Sequence, residues 1–373
     1  MGIDSSSLGR LLALVKKEFL QLRRDRSSLL IGTVLPIILI LIMGYGISLD
    51  VKNLPVAVVM EDTSPTARQA VKFLDGSAYF SPHYVTSFVE GEALLKQRQA
   101  EAILVVPPDF SAKLAHREAS LQLILYGVNP TTASTAKGYI EAGVQAYNAS
   151  LYGSHASRGI VANVNRIWFN DANSSTWYFV PGLMMLIMTL VGVFLTALVM
   201  AREWERGTME SMFVTPVRVA EILLAKMLPY FCLAMVGFFL CLLASRFLYG
   251  VPLQGSLWVL MLATVLYLLV TLGIGLTISA VTKSQFLSCQ VAMLVGFLPS
   301  LMLSGFLFDL HNVPAFVSAI GHILPPTYYL ELIKTLFLAG NDWALVGRNC
   351  IILAGYGLLF FMAALRKTRK RVE

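Results

Sequence analysis

The sequence predicts an α-helical polytopic membrane protein with six transmembrane helices and an inserted α/β extracytoplasmic domain. Three observations predict it. The 373 residues are 56% hydrophobic and only 14% charged, against about a quarter charged in soluble domains. The apolar residues gather into runs of about 20, the length that crosses roughly 30 Å of hydrocarbon at about 1.5 Å per residue. Between the first two runs lies a polar stretch, 50–177, in which strand-like and helix-like segments alternate.

The first 28 residues carry six bases and three acids. Leu8, Leu11, Leu12, Val15, Phe19 and Leu22 recur at a 3–4 spacing, while Arg10, Lys16, Lys17 and Arg23 fall elsewhere. This pattern predicts a cytoplasmic amphipathic interfacial helix within 1–28. A signal peptide would have a shorter polar flank and a shorter apolar run. Spans are expected at about 29–48, 178–200, 228–249, 257–281, 286–308 and 349–365. An even number puts both termini on one side, and the basic tail 366–373 agrees with the basic N-terminus that this side is the cytoplasm.

The segment 309–342 is apolar enough to suggest a seventh span, but Pro325-Pro326 divides it into two short halves. It therefore reads as re-entrant, since neither half reaches across a bilayer. Glu331 and Lys334 are three apart and are expected to pair on one helical face.

The domain 49–177 then faces the exterior. LPVAVVM (54–60) precedes a helical 64–74, EAILVVP (101–107) precedes 108–118, and LQLILYGV (121–128) precedes 130–151. Apolar runs alternating with helical periods suggest a small α/β fold. Cys232, Cys241, Cys289 and Cys350 all fall in apolar runs, so no disulfide framework is needed there. The net charge of +7 is concentrated beside the spans, which sets topology and contacts lipid rather than nucleic acid.

No reactive constellation stands out. The chain lacks a G-x-x-x-x-G-K-[ST] loop and any His/Cys spacing suited to a metal. Ser304 with His322 is the one candidate nucleophile–base pair, and a small-residue helix contact beside an interfacial His explains it as well. No acid or His sits in mid-span, so a proton-driven transporter is not indicated.

The exceptional stretch is 201–226, AREWERGTMESMFVTPVRVAEILLAK, with four acids and four bases between two uncharged runs. Good helix formers run from Glu203 to Phe213, Thr215-Pro216 stops a helix, and a second helix can start near Arg218. This predicts a stiff cytoplasmic elbow between the second and third spans. Glu203, Glu205, Gly207, Thr208, Glu210, Pro216, Glu221 and Lys226 resemble the signature loop of the type-2 ABC exporter permeases, with Met212 where Leu is usual. The likeness covers the whole chain, including Val180-Pro181-Gly182 at the opening of the second span, and is nearest the bacterial multidrug-export subgroup of about this length.

The resemblance implies a bacterial inner-membrane permease subunit, with no catalytic residue of its own. In this family the elbow acts as a coupling helix resting on a separate ATPase subunit, which binds the ATP and Mg; no cofactor is expected on this chain. Its mixed charges, Arg206 included, would fix register with that partner, Gly207 would allow close backbone approach, and Pro216 would set the angle. The interfacial helix, with Leu8, Leu12, Val15, Lys16, Lys17 and Phe19, would be a second lever on the same partner. A second permease copy or paralogue and a periplasmic adaptor are further expected partners. Met184, Met185, Met188, Phe194, Phe297 and Met302 could line a soft substrate path for drugs or other amphipathic compounds. Two other readings stand beside this one: export of a lipid-linked or polymeric envelope component, and a membrane-anchored sensor or scaffold using 50–177.

Overall fold

The computed structural model describes residues 5–46, 53–97, 99–116, 118–125, 130–152, 175–209, 215, 217–308, 310 and 313–368. The chain divides into two compact units, Met1–Ile47 with Ile167–Glu373, and Ser48–Arg166.

The first unit is a helical bundle. It opens with an N-terminal helix, Ser5–Arg24, which Asp25 separates from the next. Asp25 is extended (ψ 92°) and its carboxylate accepts the Ser27 and Ser28 amides, so it caps the following helix while turning the chain. Among the described residues six helices are long and apolar enough to cross a bilayer: Arg26–Tyr45, Ser175–Glu205, Val219–Phe247, Leu257–Thr282, Gln285–Leu303 and Trp343–Lys367, spans 1 to 6. Span 3 starts earlier than hydropathy suggests, because its first two turns are amphipathic and carry Glu221 and Lys226.

Span 2 is the most buried of the six and packs against spans 1, 3, 4 and 5. It approaches span 4 tightly at Gly275, where an added Cβ would lie 2.3 Å from the Val193 carbonyl oxygen. Without a hydrophobic drive between helices in lipid, such small-residue contacts hold spans together. Thr196 adds a hydrogen bond to the Leu272 carbonyl, 2.9 Å away.

The apolar segment before span 6 forms two helices, Ala315–Ile323 and Pro325–Leu338. Leu324 between them is extended and Pro325 opens the second, as the Pro-Pro pair predicts. At 9 and 14 residues neither crosses a bilayer. Tyr329 stacks on Tyr267 of span 4 at 4.2 Å and so seats the second helix in the bundle. Glu331 turns to span 6 rather than to Lys334: Arg348 donates to both its oxygens at 3.0 and 3.1 Å, and the Asn349 amide adds a third bond.

The second unit holds a small sheet of four strands, β1 (Leu54–Met60), β2 (Phe80–Val85), β3 (Ala102–Val106) and β4 (Gln122–Leu125), in the order β2-β1-β3-β4. β1 is parallel to β2 and β3, and β4 runs antiparallel to β3. Alternate residues of β1 and β3 enter two cores: Val56, Val58 and Leu104 on one side, Val59, Ile103 and Val105 on the other. Burial on both faces is why these strands read as unbroken apolar runs. β2 escapes the sequence reading because FSPHYV contains Pro and His, residues that its edge position tolerates. The helix Phe88–Lys96, capped by Ser87, was likewise not expected.

Candidate functional site

The charges of the elbow fold back onto the chain itself. Lys226 lies two turns into span 3, only 1% exposed, and its ammonium donates to Glu18 Oε1 and Glu203 Oε1, each at 3.0 Å. Glu18 belongs to the N-terminal helix and Glu203 to the end of span 2, and both are buried. Lys17 approaches from the surface, 3.5 Å from Glu18 and 3.9 Å from Glu203. Two acids and two bases leave no net charge, the condition under which charges are tolerated away from water. The Thr208 hydroxyl donates to the other Glu203 oxygen. Three elements thus meet at one ammonium.

Two more pairs extend the knot. Arg10 of the N-terminal helix bridges Glu221 at 3.2 Å, and Glu221 also accepts the Arg218 amide at 2.9 Å, closing the N-terminus of span 3. Arg202 bonds Asp25. Burial favours the neutral form of Asp25, but the hydrogen bonds from Arg202 and Ser28 outweigh it and hold the carboxyl below its ordinary value.

The helix of span 2 stops at Glu205, short of the expected Phe213, because the chain turns at Arg206-Gly207. Gly207 has φ +67°, the left-handed conformation that ends helices, and its amide returns to the Trp204 carbonyl at 3.1 Å. Among the described residues no atom lies within 4 Å of where its Cβ would stand. Glu205 is exposed, but it caps span 5: one oxygen accepts the Gln285 amide at 2.7 Å and the other its side chain. Glu210 and Pro216 lie outside the described residues. Of the elbow residues expected to face a partner, Glu205, Arg206, Gly207 and Thr208 are exposed; Glu205 bonds span 5 and Thr208 bonds Glu203, while among the described residues Arg206 and Gly207 bond only within their own helix end. Beside them a cleft of about 570 Å³ is lined by Lys17, Arg24, Arg202 and Arg206 with a single acid, Asp25.

Of the expected stripe of the N-terminal helix, Leu8, Leu12 and Phe19 are exposed, Leu11 and Val15 are half-buried and Leu22 is buried; Lys16 is exposed. At about 100° per residue, Lys17, Gln21 and Arg24 project from the side opposite that stripe. Glu18 and Leu22 face the bundle.

Residues 26–366, from the first residue of span 1 into the last turn of span 6, match the family described as ABC-2 family transporter protein. The chain belongs to the ABC-2 transporter family. It is similar to "Probable multidrug ABC transporter permease YbhS" of Escherichia coli (strain K12), 38% identical over 368 residues and 98% of each chain. "Probable multidrug ABC transporter permease YbhR" of the same organism is 28% identical over 88% of this chain and 90% of its own. "Linearmycin resistance permease protein LnrN" of Bacillus subtilis (strain 168) is 21% identical over 96% of this chain and 99% of its own.

This ABC-2 permease is a multi-pass membrane protein. Of the residues expected along a path, Met184, Met185 and Met188 are wholly buried in the bundle, since span 2 is its central helix. Phe194 and Phe297 are half-buried and Met302 is exposed. Ser304 and His322 line one cleft at the other end of the bundle without bonding each other: His322 Nδ1 bonds the Ser318 carbonyl at 2.7 Å, and the Ser304 hydroxyl has no partner.

Proposed function

We propose that this ABC-2 permease is the membrane subunit of an ATP-driven exporter of drugs or other amphipathic compounds, with both termini cytoplasmic. It works as a dimer with itself or a paralogue, on two separate ATPase subunits that bind ATP and Mg. The relatives named as multidrug and resistance permeases support the substrate class. The observation that carries the mechanism is the Glu18–Lys226–Glu203 knot. It ties the N-terminal helix to the ends of spans 2 and 3, so a push on any of the three is delivered to all, as a rigid-body transition requires. The ATPase contact falls on the outward residues, Arg206, the open backbone at Gly207, and the basic cleft on the side of the N-terminal helix away from its apolar stripe. Such a surface suits an acidic partner face, which would steer association.

The sheet unit, on this reading, is an extracytoplasmic α/β domain that extends the exit route or docks an adaptor. Access for substrate past Met184, Met185 and Met188 requires span 2 to part from its neighbours; Phe194, Phe297 and Met302 are the positions at which a path is reached first. The test is the ATPase activity of the complex in lipid. Reversing Arg24 and Arg206 to Glu should leave the permease folded while drug-stimulated turnover and copurification of the ATPase are lost. Unchanged turnover in the reversed variant would refute the contact.

A further inference from the structure

The end of span 2 is fastened to the turn that joins spans 4 and 5. That turn is short, since span 4 ends at Thr282 and span 5 begins at Gln285. Lys283 closes span 4 with φ +55°, a left-handed conformation that glycine adopts more readily than any other residue. A lysine kept in such a place points to a use for its side chain. Its ammonium stands over the Trp204 ring, 4.5 Å from the centroid. Glu205, next in sequence to Trp204, accepts the Gln285 amide at 2.7 Å and the Gln285 side chain. Just before them the Ala201 amide donates to Ser279 Oγ of span 4 at 2.7 Å, and the Thr282 and Ser288 hydroxyls bond across the turn. These contacts make one block of the last turn of span 2, the last turn of span 4 and the first turn of span 5.

Beyond that block the helix of span 5 changes character. Gln285–Val291 is α-helical, Ala292–Phe297 is π-helical and Leu298–Leu303 is α-helical again. Pro299 accounts for the wide turn: it has no amide to donate, and in a regular helix its ring would strike the Val295 carbonyl. Prolines and π turns are where helices kink. Within the chain only 22% of the apolar window of span 5 is buried, against 83% for span 2, so little packing opposes a bend there. Phe297 closes the π-helical segment and Met302 lies past it.

We propose that Lys283 is a positioning residue: together with Glu205 it makes the first turn of span 5 ride with the elbow, and Ala292–Phe297 is the hinge about which the rest of span 5 swings. A push on the elbow then reaches Phe297 and Met302 without passing through the buried Met184, Met185 and Met188. The proposal rests on the exporter reading for its driving force, whereas the block and the hinge belong to the permease alone.

Hydrogen exchange of the purified permease in lipid nanodiscs tests the block without the ATPase. Lys283→Gln removes the cation, and should speed exchange about threefold both in the peptide that ends span 2 and in the one that opens span 5. The peptide beyond the hinge, Leu298–Leu303, should exchange as in wild type. Lys283→Arg, whose guanidinium also stacks on an aromatic face, should behave as wild type throughout. Acceleration on only one side of the Trp204 contact, or acceleration that runs evenly through Leu298–Leu303, overturns the proposal. In the complex with its ATPase, Lys283→Gln should lower the maximal drug-stimulated turnover about threefold while the half-saturating drug concentration stays unchanged, and Lys283→Arg should restore it. Turnover of Lys283→Gln equal to wild type overturns the coupling role. If the wild type copurifies with no ATPase, the exporter reading falls instead, and the exchange pattern still decides whether the elbow and span 5 form one block.

Discussion

Replacing Lys226 by Met should be among the most damaging single changes in the bundle, for a reason that a second variant can isolate. The ammonium stands 3.0 Å from each of two buried carboxylates. At an effective dielectric of about 20, each contact is worth about 5.5 kcal/mol of attraction. Desolvating the ions costs several kcal/mol apiece, so the intact cluster contributes little net stability. Removing only the cation is different. Glu18 and Glu203 would then share a buried space with only Lys17, whose side chain is 48% exposed and farther away. Breaking a buried pair in this way costs about 3–5 kcal/mol, a loss on the order of 10 °C in unfolding temperature. Heating the detergent-purified protein and following its monodisperse fraction by size exclusion reads this directly. The triple variant Glu18→Gln, Glu203→Gln, Lys226→Met leaves no uncompensated buried charge and should recover most of the loss. The reasoning is refuted if Lys226→Met survives heating like wild type, or if the triple variant is no better than the single one.

Gly275→Leu should prevent spans 2 and 4 from meeting, since its Cβ alone would come within 2.3 Å of the Val193 backbone oxygen; the expected outcome is loss of folded protein in the membrane fraction, seen by fluorescence size exclusion of a tagged chain. Glu205→Ala should loosen the first turn of span 5 by removing the acceptor of the Gln285 amide and side chain, and faster hydrogen exchange at the amides of Gln285 and its neighbours would report it. In the sheet unit, the Ser111 hydroxyl first, with the Ser64 and Ser111 amides, holds Asp62 down to a pKa of about 2. The unfolded value is about 3.9, so the stability this group supplies is complete above about pH 4 and is lost as pH falls through about 2. Hydrogen exchange of the β1 and β3 peptides should accelerate over that window beyond the intrinsic rate, and Ser111→Ala should flatten the dependence.

The parts of this fold that are local in sequence were readable in it. Hydropathy placed six spans because a membrane helix must satisfy its own backbone and therefore declares itself as one uninterrupted run. LPVAVVM gave β1 within the residue, and Pro325 marked the break between the two short helices. The misses share a cause: they depend on what lies across space. The first turns of span 3 are too polar for a hydropathy window because Glu221 and Lys226 are neutralised by Arg10 and Glu18, 211 and 208 residues away. Glu331 looked paired to Lys334 by helical spacing, yet span 6 brings Arg348, whose Nη2 reaches both of its oxygens, and the Asn349 amide, which adds a third bond.

The same distance effect changes how the elbow is to be understood. Eight charges between two apolar spans invite the idea that they meet a partner, and charge complementarity is the usual reason for such a cluster. Here Glu203 and Lys226 neutralise charges on other helices, Glu221 and Glu205 close the starts of spans 3 and 5, and Arg202 bonds Asp25. A charge already satisfied inside the chain cannot also specify a partner. What it can do is fix the angle between elements, since separating a buried pair costs more than flexing an apolar contact. The pattern Glu-x-Glu-x-Gly-Thr followed by Glu-x-x-x-x-Lys therefore describes a joint, and recognition is left to residues outside that pattern: Arg206, and Arg24 of the N-terminal helix, which faces the same cleft. Charge reversal at Arg24 and Arg206 should separate the two roles, because it removes recognition while the Lys226 joint stays closed. A reversed variant that loses thermal stability to the same extent as Lys226→Met would show that no such division exists.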